Sequence, residues 1–155
     1  MGAATGKVSR LGPVFVIKAI QSPARVSALK AAGQEHAKPQ MLRALVDTGA
    51  SLSAVDPTVV SALNLEARGR TRVHTPSSGS RCDEKSLYDV TFVLGEPGGQ
   101  SFVTTVLAFE CELISQGFSA ILGCDVLLQT LFVLNGPKGE FSIEWGVPEI
   151  ETTHD

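Results

Sequence analysis

Leu42-Arg43-Ala44-Leu45-Val46-Asp47-Thr48-Gly49-Ala50-Ser51 drives an apolar run directly into a carboxylate, a small hydroxyl residue and a glycine. The part from Leu42 to Val46 has the length and composition of a buried strand. Gly49 marks a tight turn, because glycine accepts most backbone angles without steric cost. The pattern predicts a carboxylate presented at the end of a core strand, on a loop held by buried structure. An ionised carboxylate is costly to bury alone, so a chain that places one there commonly uses it. Asp-Thr-Gly also makes ordinary turns; the apolar lead-in and the following Ala50-Ser51 set this one apart. A second stretch far downstream, Ile121-Leu122-Gly123-Cys124-Asp125, carries the other half of the pattern.

Beyond the loop, Leu52-Ser53-Ala54-Val55 reads as a departing strand. Asp56-Pro57 then opens a short helix, since Asp is a good N-cap and Pro is favoured at the first helical position. Val59, Val60 and Leu63 share its inner face and Asn64 closes it. Arg68 to His74 is a polar, alternating strand, Thr75-Pro76-Ser77-Ser78-Gly79-Ser80 is a turn cluster, and Leu87 to Leu94 returns as strand. Together these form a long hairpin with a small, polar tip. Ser101 to Phe109 is the next strand, after the turn at Gly95-Glu96-Pro97-Gly98-Gly99. Ala120-Ile121-Leu122 is a short buried strand, and Asp125 is expected to cap a second short helix through Gln129. Leu131 to Leu134 and Phe141 to Trp145 flank a turn at Asn135-Gly136-Pro137-Lys138-Gly139 as a terminal hairpin.

Upstream, Val14 to Ile20 is a β-branched, apolar strand. Residues 21–41 lack a firm period and are expected as a long loop or loose hairpin, with Val26 to Leu29 as a candidate short strand. Residues 1–12 read as a flexible leader, residues 13–145 as the domain, and residues 146–155 as an acidic flexible tail. At least seven strands and two short helices, with frequent turns, make an all-β barrel or sandwich. There is no internal repeat and no second Asp-Thr-Gly or Asp-Ser-Gly.

With 155 residues, 43% hydrophobic and 19% charged, the chain is long enough for one domain with a sizeable core, and its composition is not that of a disordered segment. Net charge is −3 with no basic run, which argues against a nucleic-acid partner. No apolar stretch has the length of a membrane span, and Pro13 and Lys18 interrupt the one candidate for a secretory segment. Gly6 stands where a myristoylation signal wants Ser or Thr. Three cysteines at irregular spacing suggest a reducing compartment, so a cytoplasmic location is expected.

The two motifs, in this order and with a polar-tipped hairpin between them, resemble the retropepsin-like aspartic proteases, nearest their bacterial and cellular single-domain members. The resemblance spans residues 13–145. It implies a closed retropepsin-type acid protease barrel with one or two short helices and a β-hairpin flap. It also implies an aspartic endopeptidase active as a homodimer without cofactor or metal. Asp47 of each copy would form the dyad, Thr48 would bond across the dimer, and Gly49 with Ala50 and Ser51 would meet an extended peptide. The flap, with His74, Thr75, Pro76, Ser77, Ser78 and Gly79, would cover that peptide. Ile121, Leu122 and Gly123 would support the catalytic loop, the glycine letting the backbone pass close beside it. The dyad would share one proton, since two adjacent carboxylates do not both ionise.

Two features depart from the retroviral pattern. Ser51 and Cys124 replace an Asp and an Arg that there form an ion pair supporting the dimer, and the flap tip has the single glycine Gly79. The terminal hairpin, through Phe141, Ile143 and Trp145, is expected to hold the dimer instead. The alternatives are a dimeric peptide-binding module of the same fold with little or no proteolysis, or a protease that processes only one partner or only itself, at the leader or loop 21–41. Cys82, Cys111, Cys124 and His74 lack zinc-ligand spacing. A Cys82–His74 hydrolase would need the two to meet across the hairpin. His74 is expected as an exposed flap residue, Cys124 as a small buried one.

Overall fold

A computed structural model describes residues 1–74 and 83–146. In chain order the strands are β1 (Gly2–Ser9), β2 (Gly12–Ile20), β3 (Gln40–Val46), β4 (Ala54–Val55), β5 (Ala67–Val73), β6 (Asp83–Leu94), β7 (Phe102–Glu110), β8 (Ala120–Leu122), β9 (Leu131–Asn135) and β10 (Glu140–Trp145). The helices are α1 (Pro23–Ala31), α2 (Pro57–Ala62) and α3 (Cys124–Leu127), with a 3-10 turn at Ile114–Gln116. Strands β6, β7, β4, β8, β3 and β2 pair in that sequence, and a β2–β6 pairing closes them into a six-stranded barrel. β5 extends the barrel beyond β6; β1, β10 and β9 extend it beyond β2.

The barrel interior follows from alternation. Leu42, Ala44 and Val46 of β3 point inward while Met41 and Arg43 face solvent. They meet Ile17 and Ala19 of β2, Val90, Phe92 and Leu94 of β6, and Leu122 of β8 in one core. β3 lies parallel to β8, pairing Leu45 with Ile121 and Val46 with Leu122. This pairing brings the two apolar runs read from the sequence side by side, so their C-terminal ends emerge together.

Three expectations change. Residues 1–12 are not a loose leader: β1 pairs with β10 from Gly2 to Lys7, and Val8 and Ser9 pair with β2. Its small residues are a bed for aromatic rings. A Cβ on Gly6 would come within 2.6 Å of the Phe141 ring, and one on Gly2 would strike the Trp145 indole. Second, the stretch expected as a loose hairpin holds helix α1. The Ser22 hydroxyl accepts from the Arg25 N–H and Pro23 begins the helix, an N-terminal signature. Only Leu29 is buried from it, which is why no helical period shows in the sequence. The buried Gln21 ties this region down, its Nε2 donating to the Leu63 carbonyl and its Oε1 accepting from the Ala37 N–H. Third, Phe141, Ile143 and Trp145 are buried within their own chain and have no surface to offer a second copy. The acidic segment 147–155 lies outside the described residues.

Asp56 is the N-cap of α2, as its sequence context indicates, and does more. One carboxylate oxygen accepts from the Thr58 N–H and hydroxyl, the other from the N–H groups of Leu113 and Ile114 at 2.8 and 3.0 Å. Burial pushes this carboxyl up, but the bonds from Leu113, Thr58 and Ile114 outweigh it and hold it at about 2. A carboxylate depressed in the folded state adds stability that is present above the unfolded value, near 4, and is lost as pH falls toward 2. Asp56→Asn is therefore expected to cost on the order of 2 kcal/mol in urea denaturation at pH 7. The gap to the native sequence should narrow from pH 4 to pH 2, and a gap independent of pH would refute the assignment.

Candidate active site

Asp47 follows the last residue of β3, and its N–H continues the strand pairing by donating to the Leu122 carbonyl at 3.0 Å. The chain then turns: the Ala50 N–H donates to the Asp47 carbonyl and the Gly49 N–H to Asp47 Oδ1 at 2.9 Å. A Cβ on Gly49 would lie 3.2 Å from that same oxygen, so the bare backbone leaves the carboxylate room. Asp47 is half-buried, while Thr48, Gly49 and Ser51 are exposed. The carboxylate is thus held by its own loop and open on one side.

The turn after β8 grips this loop from beneath. Cys124 N–H donates to the Ala50 carbonyl at 2.7 Å, Asp125 N–H to the Ser51 carbonyl at 3.3 Å, and the Cys124 thiol to the Thr48 carbonyl at 3.3 Å. Gly123 lies hard against the loop, with an ideal Cβ placed 2.7 to 2.8 Å from the backbone of Leu52 and Ala50. The structure therefore sets Ile121, Leu122 and Gly123 beside Asp47. Two details differ from the sequence reading. Cys124 is half-buried rather than a filler of the core, and its thiol faces the loop. Gly123, not Asp125, is the N-cap of α3. The Asp125 carboxylate instead accepts from the Ser53 N–H at 2.9 Å, the Ser53 hydroxyl at 2.6 Å and the Val126 N–H at 2.9 Å. Ser53 gives no signal in the sequence, because a serine in an apolar strand is unremarkable without its partner 72 residues away.

Asp47 opens onto a cleft of about 930 Å³. Leu45 and Ile121 line it beside the carboxylate, Arg70 and residues 83–86 come from the outer part of the β5–β6 hairpin, next to its connecting segment, and residues 110–113 come from the end of β7 and the turn after it. Its walls are mixed in charge. Arg70 pairs with Glu84 at 3.2 Å, and Lys85, Glu110 and Glu112 also face it. Burial raises the Cys111 thiol, with Lys85 opposing and Asp56 and Glu112 adding, which disfavours a thiolate in the cleft. Among the described residues no group of three His, Cys, Asp or Glu side chains gathers as a metal site. His74 is exposed just after β5; Thr75, Pro76, Ser77, Ser78 and Gly79, and with them Cys82, lie outside the described residues.

No family model and no curated protein matches the sequence. Among solved structures the fold is similar to that of a retropepsin-like aspartic protease from Rickettsia conorii, with a TM-score of 0.57 and 17% identity over 93% of this chain and 91% of that one. The fold is accordingly the retropepsin-like barrel.

Proposed function

We propose that this protein is an aspartic endopeptidase that works as a homodimer, with Asp47 of each copy forming the dyad. One observation carries the reading: on a retropepsin-like barrel, the sole Asp-Thr-Gly of the chain presents a half-buried carboxylate to a cleft bounded by the paired strands of the β5–β6 hairpin. The two carboxylates share one proton. The ionised member takes a proton from a bound water, which attacks the peptide carbonyl, and the protonated member donates toward the developing oxyanion. The pair titrates as a unit. The substrate is an extended peptide bound like an added strand, with Gly49 offering backbone bonds and the hairpin closing over it.

A single chain brings one such carboxylate, so the chemistry needs a second copy. With the Phe141 face spent internally, β9 is the surface that suits it. Among the described residues β9 ends the sheet order, exposes Leu131, Val133 and Leu134, and follows Leu128, which is 86% exposed. An apolar edge strand left open invites pairing with another chain. It also continues from the turn that grips the Asp47 loop. On dilution, cleavage of an unfolded protein per mole of chain is expected to fall as dimers dissociate. Val133→Asp should be monomeric by sedimentation and inactive at concentrations where the native chain cleaves. A rate per chain unaffected by dilution, together with an unchanged mass for Val133→Asp, would rule out this dimer.

A further inference from the structure

We infer that Asp125 is a positioning residue for the Asp47 carboxyl, acting through Ser53 and the backbone of residues 48–51. The inference rests on Asp47 being the reacting group. Three carbonyls of the loop, those of Thr48, Ala50 and Ser51, are taken by donors from two consecutive residues, Cys124 and Asp125. The loop therefore takes its shape from wherever that turn is held. The turn is held by Asp125. Its two carboxylate oxygens receive both the N–H and the hydroxyl of Ser53, and Ser53 Oγ in turn accepts from the Gly123 N–H at 3.0 Å. The result is a closed ring of bonds through Asp125, Ser53 and Gly123, lying directly beneath the Asp47 turn.

The burial explains why a carboxylate is needed. Ser53 is fully buried, so no water stands in if Asp125 withdraws, and its N–H and O–H would lose their acceptor together. Asp125 accepts three bonds on two oxygens; an amide of the same size has one accepting oxygen and turns a donor toward one of the partners. A residue that merely capped α3 would need none of this, since α3 has four residues and Asp125 is not its cap.

The test compares Asp125→Asn, Ser53→Ala and the double variant in the full chain, each checked by thermal melting and measured well below its midpoint. A catalytic loop displaced by a fraction of an ångström should lower kcat on the order of 10- to 100-fold, with KM changing much less. The double variant should be little worse than either single one, because both cut the same ring. The Gly49 amide resonance, which reports the bond to Asp47 Oδ1, should move in both single variants. A lowered melting temperature with kcat and the Gly49 resonance unchanged would reduce Asp125 to a stabilising tie and overturn the inference. If the native chain cleaves nothing, the proposed protease function fails, while the Gly49 resonance still decides whether Asp125 positions Asp47.

Discussion

Asp47→Asn is expected to abolish peptide cleavage at every pH from acid to neutral while leaving the fold in place. An amide cannot accept the proton of the attacking water, and in a homodimer both copies carry the change. Loss of general acid and base action together should lower the rate by at least ~10³-fold. The structural cost is small for a physical reason. Asp47 is half-buried, and the Gly49 N–H that its carboxylate receives can equally be received by the amide oxygen of Asn. Melting by circular dichroism should shift by no more than a few degrees, the scale of a change within about 1 kcal/mol. Cleavage that survives the substitution would remove Asp47 from the chemistry and direct attention to Cys82 and His74. A folded dimer that binds extended peptides without cutting them, in native and variant alike, would instead favour a binding module of this fold.

The second large effect lies at Gly123. Its φ and ψ of −91° and −172° are open to any residue, so the need for glycine is one of space alone. An alanine Cβ would sit 2.7 Å from the Leu52 carbonyl carbon and 2.8 Å from the oxygens of Leu52 and Ala50. All three are backbone atoms of the loop leaving Asp47 and cannot rotate away as a side-chain tip can. Either residues 50–52 lift off or β8 backs out of its parallel pairing with β3. We expect Gly123→Ala to cost roughly 2–4 kcal/mol in urea denaturation, the range of a forced backbone shift in a packed interior. Cleavage should fall further than the folded fraction does. Gly136→Ala is the control, since nothing lies within 4 Å of a Cβ there, and its stability should stay close to native. Equal stability for the two alanine variants would mean that the loop gives way freely and is not gripped by the β8 turn.

The parts of this molecule that were legible in its residues are those decided locally. β3 and the turn at Asp47 show in an apolar run cut off by Asp-Thr-Gly. α2 shows in Asp56-Pro57, where cap and first helical residue are neighbours. The β9–β10 hairpin shows in the glycines and proline between two apolar strands, and β6 and β7 in their alternation. Each of these signals is a preference of a few adjacent residues for one backbone geometry, and sequence order alone carries it.

What tertiary structure decided concerns residues whose partners lie far away. Gly2, Ala4 and Gly6 have no apolar period and read as a leader; rings from β10, more than 130 positions on, make them a strand. Ser53 and Asp125 are unremarkable in their own stretches and become a clamp only when β3 and β8 run parallel. Asp56 shows its cap to the sequence, but its bonds to Leu113 and Ile114 arise from the fold of the chain. The sequence by itself determined which carboxylate is offered and on what kind of loop, because turn chemistry and strand patterning act over a few residues. Only the folded barrel determined what holds that carboxylate in place, because hydrogen bonds and close backbone approach depend on distance in space and not on separation along the chain.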